Sequence, residues 1–169
     1  MIFVLIRHGH KSMSPPEDPS LSDTGFEQAH KLLEFVQKGV LPEPTICLFS
    51  DKIRTKQTLQ EILDFYKPKQ EAKTEISVRS QSETAAQFRQ RVQKIINYYT
   101  FFATQSAHQK QVVYLCTHYD WIEESMTLID CNITLNSYEF AAWAPAQFVQ
   151  FEISDDGLWA FVARGVTSV

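Results

Sequence analysis

The chain has 169 residues, a hydrophobic share of 44%, an aromatic share of 12% and a formal net charge of −4. That length suits one domain, spanning residues 1–169, with a real core, and the composition is that of a globular protein. The negative balance argues against a nucleic-acid binder working by bulk electrostatics, while leaving room for one local basic pocket.

The chain opens with Ile2-Phe3-Val4-Leu5-Ile6. Five apolar residues in a row read as a strand buried on both faces. The run is too short for the apolar stretch of a signal peptide and meets Arg7 at once. It stops at Arg7-His8-Gly9, where open α/β sheets place their ligands, outside the carboxyl ends of the strands. A polar loop with Pro15, Pro16 and Pro19 follows. Thr24 and Glu27 fit a capping box, so a helix is expected to begin at Thr24 and run through Leu32, Leu33 and Val36 to Gly39.

Residues 45–49 read as a second buried strand, ending in Ser50-Asp51-Lys52. A helix through Thr58, Leu59, Ile62 and Leu63 breaks before Pro68, and it carries Arg54 in its first turn. The spacing predicts a short strand over 74–78 and a long helix over 83–105, with Phe88, Val92, Ile96 and Tyr99 on one face. Residues 112–116 make the third buried strand, ending in Thr117-His118-Tyr119, and a helix over 120–128 follows. Asp120 with Glu123 fits a helix cap and its reciprocal partner. Alternation over 147–153, the turn Asp155-Asp156-Gly157 and the apolar run 158–162 predict a hairpin.

Strands alternating with helices imply an α/β fold: three layers, α/β/α, a mostly parallel sheet with helices on both faces and an antiparallel C-terminal hairpin at the edge. Cys47 and Cys116 lie in apolar runs, and no Cys-x-x-Cys pair exists, so neither a disulfide framework nor a zinc site is expected. No stretch approaches a membrane span. A soluble, cytoplasmic protein without metal or cofactor is the expectation.

Three strands thus deliver cationic or imidazole groups just past their ends: Arg7 and His8, then Arg54, then His118. Two arginines can grip a phosphoryl dianion through paired, charge-assisted hydrogen bonds. One histidine can attack phosphorus. A second, protonated, can donate to an equatorial oxygen. Phosphoryl transfer needs mainly position and neutralised charge.

The pattern resembles the histidine phosphatase superfamily, with its phosphoglycerate mutase-like fold. The resemblance rests on Arg7-His8-Gly9, on Leu21-Ser22-Asp23-Thr24-Gly25, on Ser50, Arg54, Gln57 and Thr58, and on Thr117-His118, all in family order. It departs at His10, where the family commonly has Glu or a small residue. The resemblance implies a metal-independent phosphatase in which His8 becomes phosphorylated and Arg7, Arg54 and His118 form the phosphate pocket. Thr74-Glu75-Ile76 resembles a shortened form of the segment that carries the family's proton donor, which makes Glu75 the candidate acid. Asp120 is the rival carboxylate, and His10 reads as loop. The short passage to Ser82-Glu83 resembles the phosphohistidine phosphatase branch, which lacks a large lid. The substrate expected is a phosphorylated small molecule or a phosphoprotein. The competing expectation is a catalytically weak phosphate- or phosphoprotein-binding module of the same fold.

Overall fold

A computed structural model describes residues 1–108 and 110–167. Its elements run β1 (Ile2–Arg7), α1 (Asp23–Gln37), β2 (Ile46–Phe49), α2 (Ile53–Tyr66), β3 (Gln70–Lys73), α3 (Ala85–Thr104), β4 (Val112–Thr117), α4 (Tyr119–Met126), β5 (Phe148–Ile153) and β6 (Trp159–Gly165), with short 3₁₀ turns before β4 and β5. The strands form one sheet in the order β3-β2-β4-β1-β5-β6. β3, β2, β4 and β1 are mutually parallel, and β5 and β6 close the sheet as an antiparallel hairpin at the edge. The α/β architecture expected from the sequence is the one observed.

Alternation along each central strand explains the three layers. Val4 and Ile6 face one way with Cys47 and Phe49, and pack under Leu32, Leu33, Leu59 and Ile62 of α1 and α2. Phe3 and Leu5 face the other way with Leu48 and Leu115, under Val92 and Ile96 of α3 and Trp121 and Ile122 of α4. Both faces of β1 and β4 are therefore dry, as their unbroken apolar runs require.

Two local expectations are corrected. α1 begins two residues earlier than the capping pattern at Thr24 indicates: the N-cap is Ser22, whose hydroxyl accepts from the Gly25 N–H. The reason is Gly25, where a Cβ would lie 2.0 Å from the His10 carbonyl oxygen, so the first turn of the helix must press a glycine against that loop. The strand expected over 74–78 lies instead at Gln70–Lys73, a short, polar edge strand beside β2. The 74–78 segment still turns one apolar residue inward, since Ile76 is wholly buried and its carbonyl accepts from the Thr117 hydroxyl. Among the described residues no helix is long and apolar enough to cross a membrane.

Candidate active site

Register brings the three strand ends level. Arg7 pairs with Thr117 across β1 and β4, and Phe49 pairs with Cys116 across β2 and β4. The His8 N–H continues the ladder to the Thr117 carbonyl at 3.0 Å. His8, Ser50 and His118 therefore emerge side by side, and α2 carries Arg54 back over them. The His8 and His118 rings lie 5.2 Å apart between centroids.

The Arg54 guanidinium is buried, at 6% exposure, and each of its nitrogens meets a different residue. Nε donates to His8 Nε2 at 3.2 Å, Nη2 to His118 Nδ1 at 3.3 Å and Nη1 to Asp18 at 3.4 Å. A guanidinium only donates, so both ring nitrogens facing it are acceptors. On His8 the other nitrogen, Nδ1, is 2.7 Å from the Gly9 carbonyl, which accepts its proton. The Nε2 lone pair of His8 thus faces the site and accepts the Arg54 Nε–H. On His118 the opposite nitrogen, Nε2, donates to the Ser50 hydroxyl at 2.8 Å.

Burial works against charge on both rings. It pushes His8 down to about 4, with the Gly9 carbonyl opposing and Arg54, Arg7 and Lys11 assisting. It pushes His118 down to about 2, with His8 and Arg54 adding to the effect. Both rings are neutral near pH 7, a nucleophile-ready state for His8 and a revision of the protonated donor expected at His118. Burial also lowers both arginines. For Arg54 the nearby Asp18 opposes that shift.

The turn after β1 is tied to α2 by Thr58, which is 1% exposed. Its hydroxyl oxygen accepts from the Gly9 N–H at 2.9 Å, and its proton goes to the Arg54 carbonyl at 2.7 Å. The N-cap of α2, Lys52, makes no side-chain cap bond. Asp18 supplies the acceptor from the proline-bearing loop, taking the Ile53 N–H at 3.2 Å. Arg7 is held from the other side: it donates to the Trp143 carbonyl, and its guanidinium lies 5.4 Å from the Tyr119 ring centroid.

A cavity of about 440 Å³ opens over this group. Arg7, His8, Arg54 and His118 all line it. Apolar walls come from Met13, Val78, Tyr119 and Pro145, and His10, Lys11 and Asp120 complete the rim. His10, read from the sequence as loop, is both loop and rim. Asp120, expected with Glu123 as the cap of this helix, sits instead in the first turn of α4, because the helix starts directly off the end of β4 with His118 as N-cap and no side-chain cap bond. Its two oxygens accept the Trp121 and Arg79 N–H groups at 2.9 and 2.7 Å.

Glu75 is the sequence-derived site residue that the structure does not bring to the cavity. It is exposed, it is absent from the cavity walls, and its carbonyl accepts from Arg91. The cause is the inward turn of Ile76, which leaves its neighbour facing outward. Asp18 and the Trp143 carbonyl are not visible in the sequence. Asp18 lies in a loop without periodicity, and a backbone carbonyl leaves no signature in residue types. Among the described residues no group of three or more His, Cys, Asp or Glu is arranged to hold a metal ion.

Residues 3–77 match the profile of the histidine phosphatase superfamily (branch 1). No curated protein matches the chain by sequence. Among solved structures, the chain is similar to the protein histidine phosphatase SixA complexed with tungstate, at TM-score 0.74 and 14% identity, over 99% of this chain and 97% of that one. It is also similar to the Entamoeba histolytica phosphoserine phosphatase in complex with 3-phosphoglyceric acid, at TM-score 0.65 and 12% identity, covering 97% and 96%. A mycobacterial glucosyl-3-phosphoglycerate phosphatase gives TM-score 0.67 and 14% identity, covering 95% and 96%. At such identities the likeness shows the fold. Fold and partial family match together point to the phosphatases of that superfamily. The match covers residues 3–77 of the chain, and the near-complete overlap with SixA shows that the two share a fold. The profile match carries Arg7, His8 and Arg54 and ends before His118, whose place in the site rests on geometry.

Proposed function

We propose that this phosphatase hydrolyses a phosphomonoester or a protein phosphohistidine through a phosphohistidine formed on His8. The observation that carries the reading is the Nε2 lone pair of a neutral His8, 3.2 Å from the Arg54 guanidinium and fixed by its Nδ1–H bond to Gly9. As the phosphoryl group enters, the Arg54 Nε–H turns from Nε2 to a phosphoryl oxygen and frees the lone pair. Nε2 attacks phosphorus in line, and the bond from phosphorus to the leaving group breaks with its electron pair. The equatorial oxygens are met by Arg7 and Arg54, with His118 beside them. Water then attacks phosphorus, the P–N bond breaks and His8 is regenerated with release of inorganic phosphate.

The leaving group also needs a proton. Glu75 lies outside the cavity walls, and both oxygens of Asp120 already accept backbone N–H bonds. We therefore assign the proton to water entering the cavity. That assignment favours leaving groups that depart readily, such as an imidazole, an acyl oxygen or a phenol, over simple alkoxides.

The test is incubation with p-nitrophenyl phosphate, followed by an alkaline quench and mapping of an acid-labile label. Label on His8 and loss of turnover in His8→Ala are expected. Normal turnover in His8→Ala refutes the assignment. Oxyanion binding without any label on His8 would instead support a module that binds phosphate without turnover.

A further inference from the structure

The rim residues that follow the catalytic tripeptide are built, not loose. The His10 N–H donates to the Gln28 side-chain oxygen at 2.8 Å, and the His10 carbonyl accepts the Ser22 N–H at 2.9 Å. Lys11 and Leu21 form an antiparallel bridge, and the Ser12 N–H reaches the Ser20 carbonyl at 2.9 Å. The His10 ring is anchored by Nδ1 on the Ser22 hydroxyl at 2.8 Å. The backbone of 10–12 is thus clasped on both sides, which aims two side chains at one place.

Both side chains line the same cavity as His8. Lys11 is close enough to bias His8 electrostatically. Yet among the described residues the Lys11 ammonium has no carboxylate partner, unlike Lys31, Lys38 and Lys56, which are all paired. The one carboxylate in the cavity walls, Asp120, comes from a different element and already accepts two backbone N–H bonds. A lysine held at a pocket rim with no internal counter-charge is a point of attraction for an anion that arrives with the substrate.

We propose that Lys11, with His10 beside it, forms a second anion subsite, so that the preferred substrate carries a carboxylate or second phosphate near its transferable phosphoryl group. The proposal rests on the assignment of the phosphoryl pocket above and adds the chemistry of what leaves. The second anion has two sources, a free phosphorylated acid or an acidic side chain beside a phosphohistidine.

The experiment compares matched substrates differing by one charge. One arm uses 4-carboxyphenyl phosphate against 4-carbamoylphenyl phosphate, both with phenol leaving groups. The other uses a Glu-phosphohistidine peptide against its Gln counterpart. The readout is the ratio of kcat/KM within each pair, in which any loss common to both members cancels. We expect a ratio of about fivefold in at least one arm, the upper end of what one ion pair at an exposed rim provides. The arm that shows it identifies the source. Lys11→Met should bring the ratio to within about twofold of unity, and added salt should shrink it in the wild type. A wild-type ratio near unity in both arms, or one unchanged by Lys11→Met, overturns the subsite while leaving the phosphatase reading intact. If neither member is hydrolysed, the proposed function fails. The subsite is then read from the ratio of dissociation constants by calorimetry on the same protein: a ratio that Lys11→Met abolishes supports it, and a ratio near unity overturns it.

Discussion

Replacing Arg54 by lysine separates charge from shape. Both side chains carry one positive charge, but only the guanidinium offers a planar fork. In this site all three nitrogens are engaged, reaching His8 at 3.2 Å, His118 at 3.3 Å and Asp18 at 3.4 Å, which leaves one N–H on each Nη for a bound phosphoryl group. A single ammonium cannot meet all three directions, so at least one donor toward a bound phosphoryl group is lost. Removing one preorganised donor from a developing oxyanion costs about 2.7–4 kcal/mol, or roughly 10²–10³ in kcat. The fold should hardly notice, because the ion pair given up is to an Asp18 side chain that is 38% exposed, and such pairs contribute about 0.2–1 kcal/mol. Arg54→Lys is therefore expected to lower kcat for p-nitrophenyl phosphate by two to three orders of magnitude while the urea midpoint stays near that of the wild type. A kcat within about tenfold of wild type, with the fold intact, would show that net charge suffices and that the fork geometry is idle.

Stability should fall as the pH drops below 6.5. Both site histidines are held neutral by burial, His8 down to about 4 and His118 down to about 2, so the unfolded chain takes up protons that the folded one refuses. Their contribution is fully present above pH 6.5 and is lost toward pH 4 for His8 and toward pH 2 for His118, at about 1.4 kcal/mol per pH unit for each ring. Urea unfolding between pH 7 and pH 4.5 checks this, and His118→Gln should halve the slope. Thr58→Val removes the acceptor for the Gly9 N–H without changing volume. It should cost about 1–3 kcal/mol and reduce turnover, with Thr58→Ser recovering most of both. Gly25→Ala places a methyl 2.0 Å from a backbone oxygen. It should destabilise by at least the ~1–3 kcal/mol of ordinary overpacking and disturb the 10–12 clasp, which thermal unfolding will report.

How far the sequence foretells the fold and site depends on where each signal resides. Buried strands write themselves as continuous apolar runs, so β1, β2 and β4 are readable within a residue, and with them the positions of Arg7, His8 and His118. Their convergence depends on register, since Arg7 meets Thr117 and Phe49 meets Cys116, and parallel neighbours with level ends follow from the strand–helix alternation. β3 is not readable, because an edge strand of Gln, Glu, Ala and Lys carries no apolar pattern. Its true position explains the misplacement of Glu75: in a chain that is not paired over 74–78, inward orientation goes to the residue that buries best, and that is Ile76. The start of α1 escapes for a similar reason, because a local capping pattern cannot see the His10 carbonyl that Gly25 must clear. The 129–147 segment has no periodic signal, yet it delivers the Trp143 carbonyl to Arg7 and the Ala146 N–H to the His8 carbonyl. Groups supplied by the backbone are invisible to residue-type reasoning.

These placements share one energetic logic. Burial disfavours the charged form of Arg7, Arg54, His8 and His118 alike. Among the described residues, the single ion pair reaching this group is Asp18 with Arg54, and it is long and partly exposed. Such an arrangement is poor as a stability device, since like-charged and desolvated groups resist being gathered. It persists because backbone carbonyls and hydroxyls hold each piece: Gly9 on His8, Ser50 on His118, Trp143 on Arg7 and Thr58 across the turn. A tetrahedral dianion supplies the missing counter-charge to both arginines at once and offers oxygens to their remaining N–H groups. The reorganisation that water would have to undergo around such an anion has been completed by folding, and the stability given up there is the part available to lower a barrier.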